Sequence, residues 1–126
     1  MKFIHEKDAE ADYIGPPHQR VIRHLAAPWN MGTKHLWMGT SSVDPGFTSN
    51  PHSHEDQEEI FYCISGRGRI RVGDEEMALE PGMVVYVPEG TVHQLINTEG
   101  TEVLKVLSAV SPPFIPEKYR KDHLIK

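Results

Sequence analysis

The sequence predicts an all-β domain, a sandwich or barrel of short strands, and three observations carry that prediction. Short runs rich in β-branched, aromatic and other large apolar side chains recur at close spacing through residues 33–110. Turn chemistry separates them: Asp44-Pro45-Gly46, Gly66, Gly73-Asp74, Pro81-Gly82, the 88–90 segment and the 98–100 segment. No stretch across that span has a helical period.

Taken in order, residues 1–18 are polar and end in Gly15-Pro16-Pro17, which reads as an arm leading into the domain rather than a packed element. The barrel is expected over residues 19–112. A short apolar run at 21–25 opens it, and KHLWMGTSSV, residues 34–43, forms a strand that Asp44-Pro45-Gly46 closes. Further strands are expected at 59–65, 68–72, 76–79, 83–87, 93–96 and 103–110. Prolines after Ser111 end the last strand, and the tail, 113–126, finishes in a short helical turn. No repeat, linker or low-complexity segment divides the chain, so one domain is expected.

A chain of 126 residues buries roughly two-thirds of its unfolded surface, enough for a core without disulfides. The formal charge of −5 and the scattered basic residues argue against a nucleic-acid partner, because neutralising phosphates requires clustered Lys and Arg. Arg67, Arg69 and Arg71 come nearest to a cluster; they alternate along a strand and read as a solvated face, with an anion contact as the competing reading. Cys63 is the only cysteine, so no internal disulfide forms and nothing points to an oxidising compartment. Residues 1–13 are charged and carry no apolar stretch, and no window approaches the roughly 20 apolar residues of a membrane span. A soluble, cytoplasmic protein without a membrane partner is the expectation.

The chemistry concentrates in four residues. His52 and His54, at i and i+2 on an extended chain, point to one side about 7 Å apart along the backbone. Glu59 opens the following strand and offers a hard anionic ligand, and His93 follows the turn at 88–90, which can deliver it from a distant strand. Three imidazoles and one carboxylate around a divalent ion leave two positions open on an octahedral centre. Manganese, iron, nickel, zinc and copper all suit such ligands, whereas calcium and magnesium prefer oxygen shells. Glu55, Asp56 and Glu58 lie close enough in sequence to compete with Glu59 for the carboxylate role.

Two longer patterns bear a specific resemblance. Gly46-FTSNP-His52-Ser53-His54-EDQE-Glu59-IFYCIS-Gly66 resembles the first motif of the cupin superfamily, and Gly82-MVVYV-Pro88-Glu89-Gly90-TV-His93-QLI-Asn97 resembles the second. The fifteen residues between them match the short spacer of small single-domain (type-2) cupins. The resemblance implies a double-stranded β-helix, or jelly roll, holding one divalent transition metal on His52, His54, Glu59 and His93. Glu59 is preferred over its acidic neighbours because it alone keeps both motif spacings. Gly66, Gly82, Gly90 and Asn97 are motif positions with a backbone role. The resemblance further implies a homodimer, with residues 19–30 docked or exchanged across the interface. It does not fix the reaction, since dioxygenases, decarboxylases, isomerases, lyases, storage proteins and sugar sensors share the fold.

The expected function is therefore a metal-dependent enzyme acting on a small oxygen-rich metabolite, a sugar or organic acid. The reaction would be Lewis-acid isomerase, lyase or decarboxylase chemistry, or iron-dependent dioxygenation. The alternative is a non-catalytic cupin that binds a small ligand; too few residues flank the barrel for the helix-turn-helix that sugar sensors often carry. Glu58, Tyr62 and His35 are the candidate general bases. His5, His18, His24 and His123 have no partner at ligand spacing and read as solvated or core-satisfied. Cys63 reads as a small core residue on the same face as Glu59 and Phe61, and Phe47, Phe61, Tyr86, Leu95 and Leu104 as core.

Overall fold

The computed structural model describes residues 1–117 and 119. Its strands are β1 (Ala11–Ile14), β2 (Arg20–Ala26), β3 (Trp37–Val43), β4 (Phe47–Thr48), β5 (Glu58–Ser65), β6 (Gly68–Val72), β7 (Glu75–Leu79), β8 (Val84–Val87), β9 (His93–Asn97) and β10 (Leu104–Ser111). A single helical turn, α1 (Pro28–Met31), lies between β2 and β3. All pairings are antiparallel, and they build two sheets, in the orders β1-β2-β3-β10-β5-β8 and β4-β9-β6-β7. This is the jelly roll that the sequence predicts.

Period-two burial explains how the sheets aim their side chains. β10 lies between β3 and β5, and its residues alternate between buried and half-buried along its whole length. β5 turns Glu59, Phe61 and Cys63 inward and Ile60, Tyr62 and Ile64 outward. β9, in the other sheet, buries His93, Leu95 and Asn97. Glu59 and His93 therefore reach the interior from opposite sheets. One core cluster contains Phe61, Cys63, Ile70, Leu95, Leu104 and Val106; burying a Leu, Ile or Phe of this kind contributes about 1.5–3 kcal/mol. A second cluster gathers Ile22, Ala27, Trp37, Val110, Phe114 and Tyr119.

Two motif residues show their backbone roles directly. Gly66 has φ +82°, and a Cβ there would stand 2.1 Å from the Val103 carbonyl oxygen, so no other residue fits without displacing the start of β10. The buried Asn97 side chain donates through Nδ2 to the carbonyls of Val43 (2.9 Å) and Glu102 (3.0 Å), tying the end of β9 to β3 and to the loop before β10.

Several expectations need correction. Residues 11–14 are not a free arm: they form the edge strand β1, paired with β2 from Ala11↔Arg23 to Ile14↔Arg20. Just before it, Glu6 accepts from Lys105 Nζ at 2.8 Å and Thr40 Oγ1 at 2.7 Å. The strand is short and at the sheet edge, where none of its four residues is fully buried. Residues 34–36 precede the strand that starts at Trp37, and β4 has only two residues, too short for a sequence pattern. Tyr86 faces outward, 53% exposed, and its hydroxyl donates to Glu58 Oε1 at 3.0 Å.

Other expectations hold. Cys63 is fully buried in the core, and burial pushes its thiol up from the ordinary range. Arg67, Arg69 and Arg71 line an exposed strand face, where Arg67 pairs with Glu80, Arg69 with Glu76 and Arg71 with the Gly73 carbonyl. In the tail the Tyr119 N–H donates to the Ile115 carbonyl at 3.0 Å, a helical turn, while His123 lies outside the described residues. No helix among the described residues is long and apolar enough to cross a membrane.

Candidate metal centre

The centre is built by pinning a loop onto β9. His52 and His93 form an antiparallel bridge: the His52 N–H donates to His93 O at 3.2 Å, and the His93 N–H donates to His52 O at 2.9 Å. Their rings stand 4.3 Å apart between centroids. His54 lies off any strand, so its convergence with His52 comes from loop geometry rather than strand alternation. The Gly90 N–H holds that loop by donating to His54 O at 2.9 Å. The 88–90 turn thus fixes His54 as well as leading to His93.

All four expected ligands come together. Each of His52, His54 and His93 places one ring nitrogen within 4.8 Å of the others. Glu59 Oε1 lies 3.2 Å from His93 Nε2 and 3.5 Å from His54 Nε2. The four residues are buried. Glu55, Asp56 and Glu58 are exposed, so the inward turn of β5 singles out Glu59 among the neighbouring acids.

The rings are oriented from behind. His52 Nδ1 lies 2.8 Å from Asn50 O and His93 Nδ1 lies 3.0 Å from Thr91 O. A carbonyl only accepts, so each Nδ1 carries the hydrogen and each Nε2 presents its lone pair. At the centre His93 Nε2 and Glu59 Oε1 are buried without a hydrogen bond. Two acceptors facing each other at 3.2 Å call for a cation between them. Two donors each about 2.1 Å from one ion, at right angles, stand about 3 Å apart, so the spacing fits a first-row divalent ion. Burial alone would raise the Glu59 carboxyl; positive charge at the His54 and His93 rings, which a bound cation would replace, outweighs it and holds the carboxyl well below its usual range.

A cavity of about 20 Å³, room for about one water, borders this cluster. Its polar wall includes Arg20, Thr40, Ser41, Ser49 and Ser108, none of which the sequence reading selected. Arg20 carried a usable signal: in RVIRHLA it is in phase with Ile22 and His24, and all three are buried. Phe114 and Tyr119, from the tail, complete the apolar wall. Phe114 packs edge-on at 5.0 Å from Trp37 and 5.1 Å from His54.

The candidate bases do not reach this space. Glu58, Tyr62 and His35 are exposed, and none lines the cavity. His35 contributes only its carbonyl, which accepts from Ser111 Oγ at 2.6 Å. His24 is core-satisfied: Trp37 Nε1 donates to its Nδ1 at 3.2 Å, and its Nε2 lies 2.8 Å from Asp12 Oδ2.

A small antiparallel β-barrel with three buried imidazoles and a carboxylate converging at one point defines the class of protein. The chain belongs to the cupin family, whose cupin domain model matches residues 39–110. An uncharacterized Streptomyces coelicolor protein is 36% identical over 80 residues, 64% of this chain and 73% of that protein. A glucose-6-phosphate isomerase from Thermococcus gammatolerans is 35% identical over 77 residues, 56% of this chain and 41% of that enzyme. Among solved structures, ectoine synthase from P. lautus superimposes with a TM-score of 0.78 at 19% identity, covering 96% of this chain and 85% of that one.

Proposed function

We propose that this protein is a metal-dependent cupin enzyme acting on a small oxygen-rich metabolite, a sugar or organic acid, with one divalent transition metal held by His52, His54, Glu59 and His93. The observation that carries the reading is the pair of buried acceptors, His93 Nε2 and Glu59 Oε1, facing each other at 3.2 Å without a hydrogen bond. Manganese, iron, nickel, zinc or copper suits this donor set. Such an ion supplies Lewis-acid polarisation of a substrate oxygen, which acidifies a neighbouring C–H for isomerase, lyase or decarboxylase chemistry, or with iron supports dioxygenation.

The chain's own residues supply the rest. Asn50 O and Thr91 O fix the tautomers of His52 and His93. Phe114 and Trp37 keep the cavity narrow, with room for about one water. Beside them the Tyr119 phenol is pushed upward by burial and by Asp12, so it stays protonated at neutral pH and is not a base. The isomerase among the relatives supports the enzymatic reading.

One observation favours the second reading, a non-catalytic small-ligand binder. Outside the proposed ligands, no described side chain lining the cavity is an ordinary general base. Elemental analysis of untagged protein, followed by turnover assays on hexose phosphates and 2-oxo acids with and without the ion, separates the two. Near-stoichiometric metal with ion-dependent turnover supports the enzyme. Metal and ligand binding without turnover favours the binder. Protein that takes up none of the five ions overturns the metal-dependent reading.

The proposal includes a homodimer in the cytoplasm. Its support is the outward face of β5 and the edge strand β8, where Ile60, Tyr62, Val84 and Tyr86 are exposed. Light scattering at micromolar concentration should give the mass of two chains, and a one-chain mass overturns the dimer.

A further inference from the structure

The cavity beside the proposed centre contains a cation that forms no ion pair among the described residues. Arg20 enters from β2 and is 7% exposed. Its NH1 donates to Asn50 Oδ1 at 3.2 Å and its NH2 to Ser41 Oγ at 2.9 Å, both neutral acceptors. Its Nε is buried with no hydrogen-bond partner among the described residues. Burial pushes the guanidinium down to about 10, against the opposing influence of Tyr119 and Glu59, so it remains charged at neutral pH.

Asn50 couples this cation to the centre. Its side chain holds Arg20, while its main-chain carbonyl accepts from His52 Nδ1. Arg20, His52, Glu59 and His93 line one cavity. The charge count among the described lining residues then follows from the proposed function, on which this inference rests: an ion of +2, Glu59 at −1 and Arg20 at +1 leave +2. Buried charge of that size requires a counter-ion. A neutral polyol would leave it uncompensated.

We propose that Arg20 is the specificity-determining residue of the site, and that the ligand is a small carboxylate whose charged end it takes while the remaining oxygens face the four-ligand centre. Two donors of the guanidinium are engaged, and the unpartnered Nε–H with a remaining N–H offers the planar fork that a carboxylate matches. The hydroxyls of Ser41, Thr40, Ser49 and Ser108 suit the oxygens of an organic acid. No second arginine or lysine lines the cavity among the described residues, and a single planar guanidinium fork matches the two oxygens of a carboxylate. The present cavity of about 20 Å³ is smaller than any such acid, so entry requires Phe114 or Tyr119 to give way.

Calorimetry on manganese-loaded protein tests the assignment, with formate, glycolate, pyruvate and malonate as carboxylates, glucose as the neutral control and inorganic phosphate as the competing anion. At least one carboxylate should bind the parent in the millimolar range or tighter, ahead of glucose and phosphate. Arg20→Met should weaken it by at least about tenfold and Arg20→Lys by less, because lysine keeps the charge but loses the fork. Manganese content, measured alongside, should be unchanged in both variants. Equal carboxylate affinity in parent and Arg20→Met overturns the proposal, as does preference for glucose or phosphate, or binding of no carboxylate. If Arg20→Met fails to fold, the comparison with Arg20→Lys decides, equal affinity again being the overturning result. Failure of the metal reading registers separately: a parent that takes up no manganese yet binds carboxylates through Arg20 loses the metal and keeps the Arg20 site.

Discussion

His52 and His93 are joined through their main chains as well as facing the same centre: reciprocal N–H to carbonyl hydrogen bonds of 3.2 and 2.9 Å hold their rings 4.3 Å apart. The loop carrying His52 is therefore pinned to β9 whatever side chain position 93 bears. His93→Ala should keep the barrel folded by circular dichroism yet lose the ion, lowering metal content several-fold or more on elemental analysis. Its melting temperature should fall to that of chelator-treated parent or below, because binding to the native state adds stability that the variant forfeits. Equal metal content in variant and parent would exclude His93 as a ligand.

Acid should remove the ion through the histidines rather than through Glu59. The Glu59 carboxyl lies below its usual range in the folded chain, and so below its value in the unfolded chain. Its contribution to stability is therefore complete above the unfolded value, about 4.3, and is lost only as pH falls through the lower folded value. An imidazole ordinarily binds its proton near pH 6.5, and that proton competes with the ion. Metal content should therefore decline between about pH 6.5 and 5 while the fold persists, and Glu59→Gln should have little metal even at pH 8. Full retention of the ion at pH 4.5 contradicts this.

The fourth buried histidine among the described residues has a different role. His24 sits between Asp12 and Trp37, with rings of Trp29 and Tyr119 edge-on at 5.2 and 4.7 Å. Removing its ring leaves the Trp37 N–H buried without an acceptor, a loss of about 1–3 kcal/mol before any cavity cost. His24→Ala should unfold at lower denaturant and leave metal content per folded molecule unchanged. A drop in metal content would make His24 part of the centre.

The fold and the four-residue cluster were legible because they are written in local spacing: inward residues of β5 and β9 alternate, and turns at 66, 82 and 90 separate strands cleanly. What escaped depends on long-range placement. β1 is four residues long with none fully buried, so its pairing with β2 leaves no alternation long enough to read. Arg20 resembles a surface residue until Asn50 and Ser41, 30 and 21 positions away, receive its guanidinium. Tyr86 was read as core from its type, but the phase of β8 buries Val87 and turns Tyr86 outward. Glu58 and Tyr62 lie near Glu59 in sequence, and His35 lies beside an apolar run expected to line the barrel, but neither feature fixes the face a side chain presents.

Phe114 makes the last and most direct test of access. It is 1% exposed, lies in the tail just after β10, and packs between Trp37 and His54 at the cavity wall. The space it helps to enclose is about 20 Å³, so a ligand larger than water requires part of that wall to give way. Phe114→Ala removes that ring and, if the surroundings do not collapse, costs about 3–5 kcal/mol of stability. Association of small carboxylates, followed by stopped-flow on metal-loaded protein, should accelerate in the variant, while His52, His54, Glu59 and His93 keep the ion. Phe114→Leu, which retains most of the volume, should fall between parent and alanine in both stability and rate. Association rates equal in all three proteins would show that the ligand reaches the centre by another route, with Phe114 serving only the core.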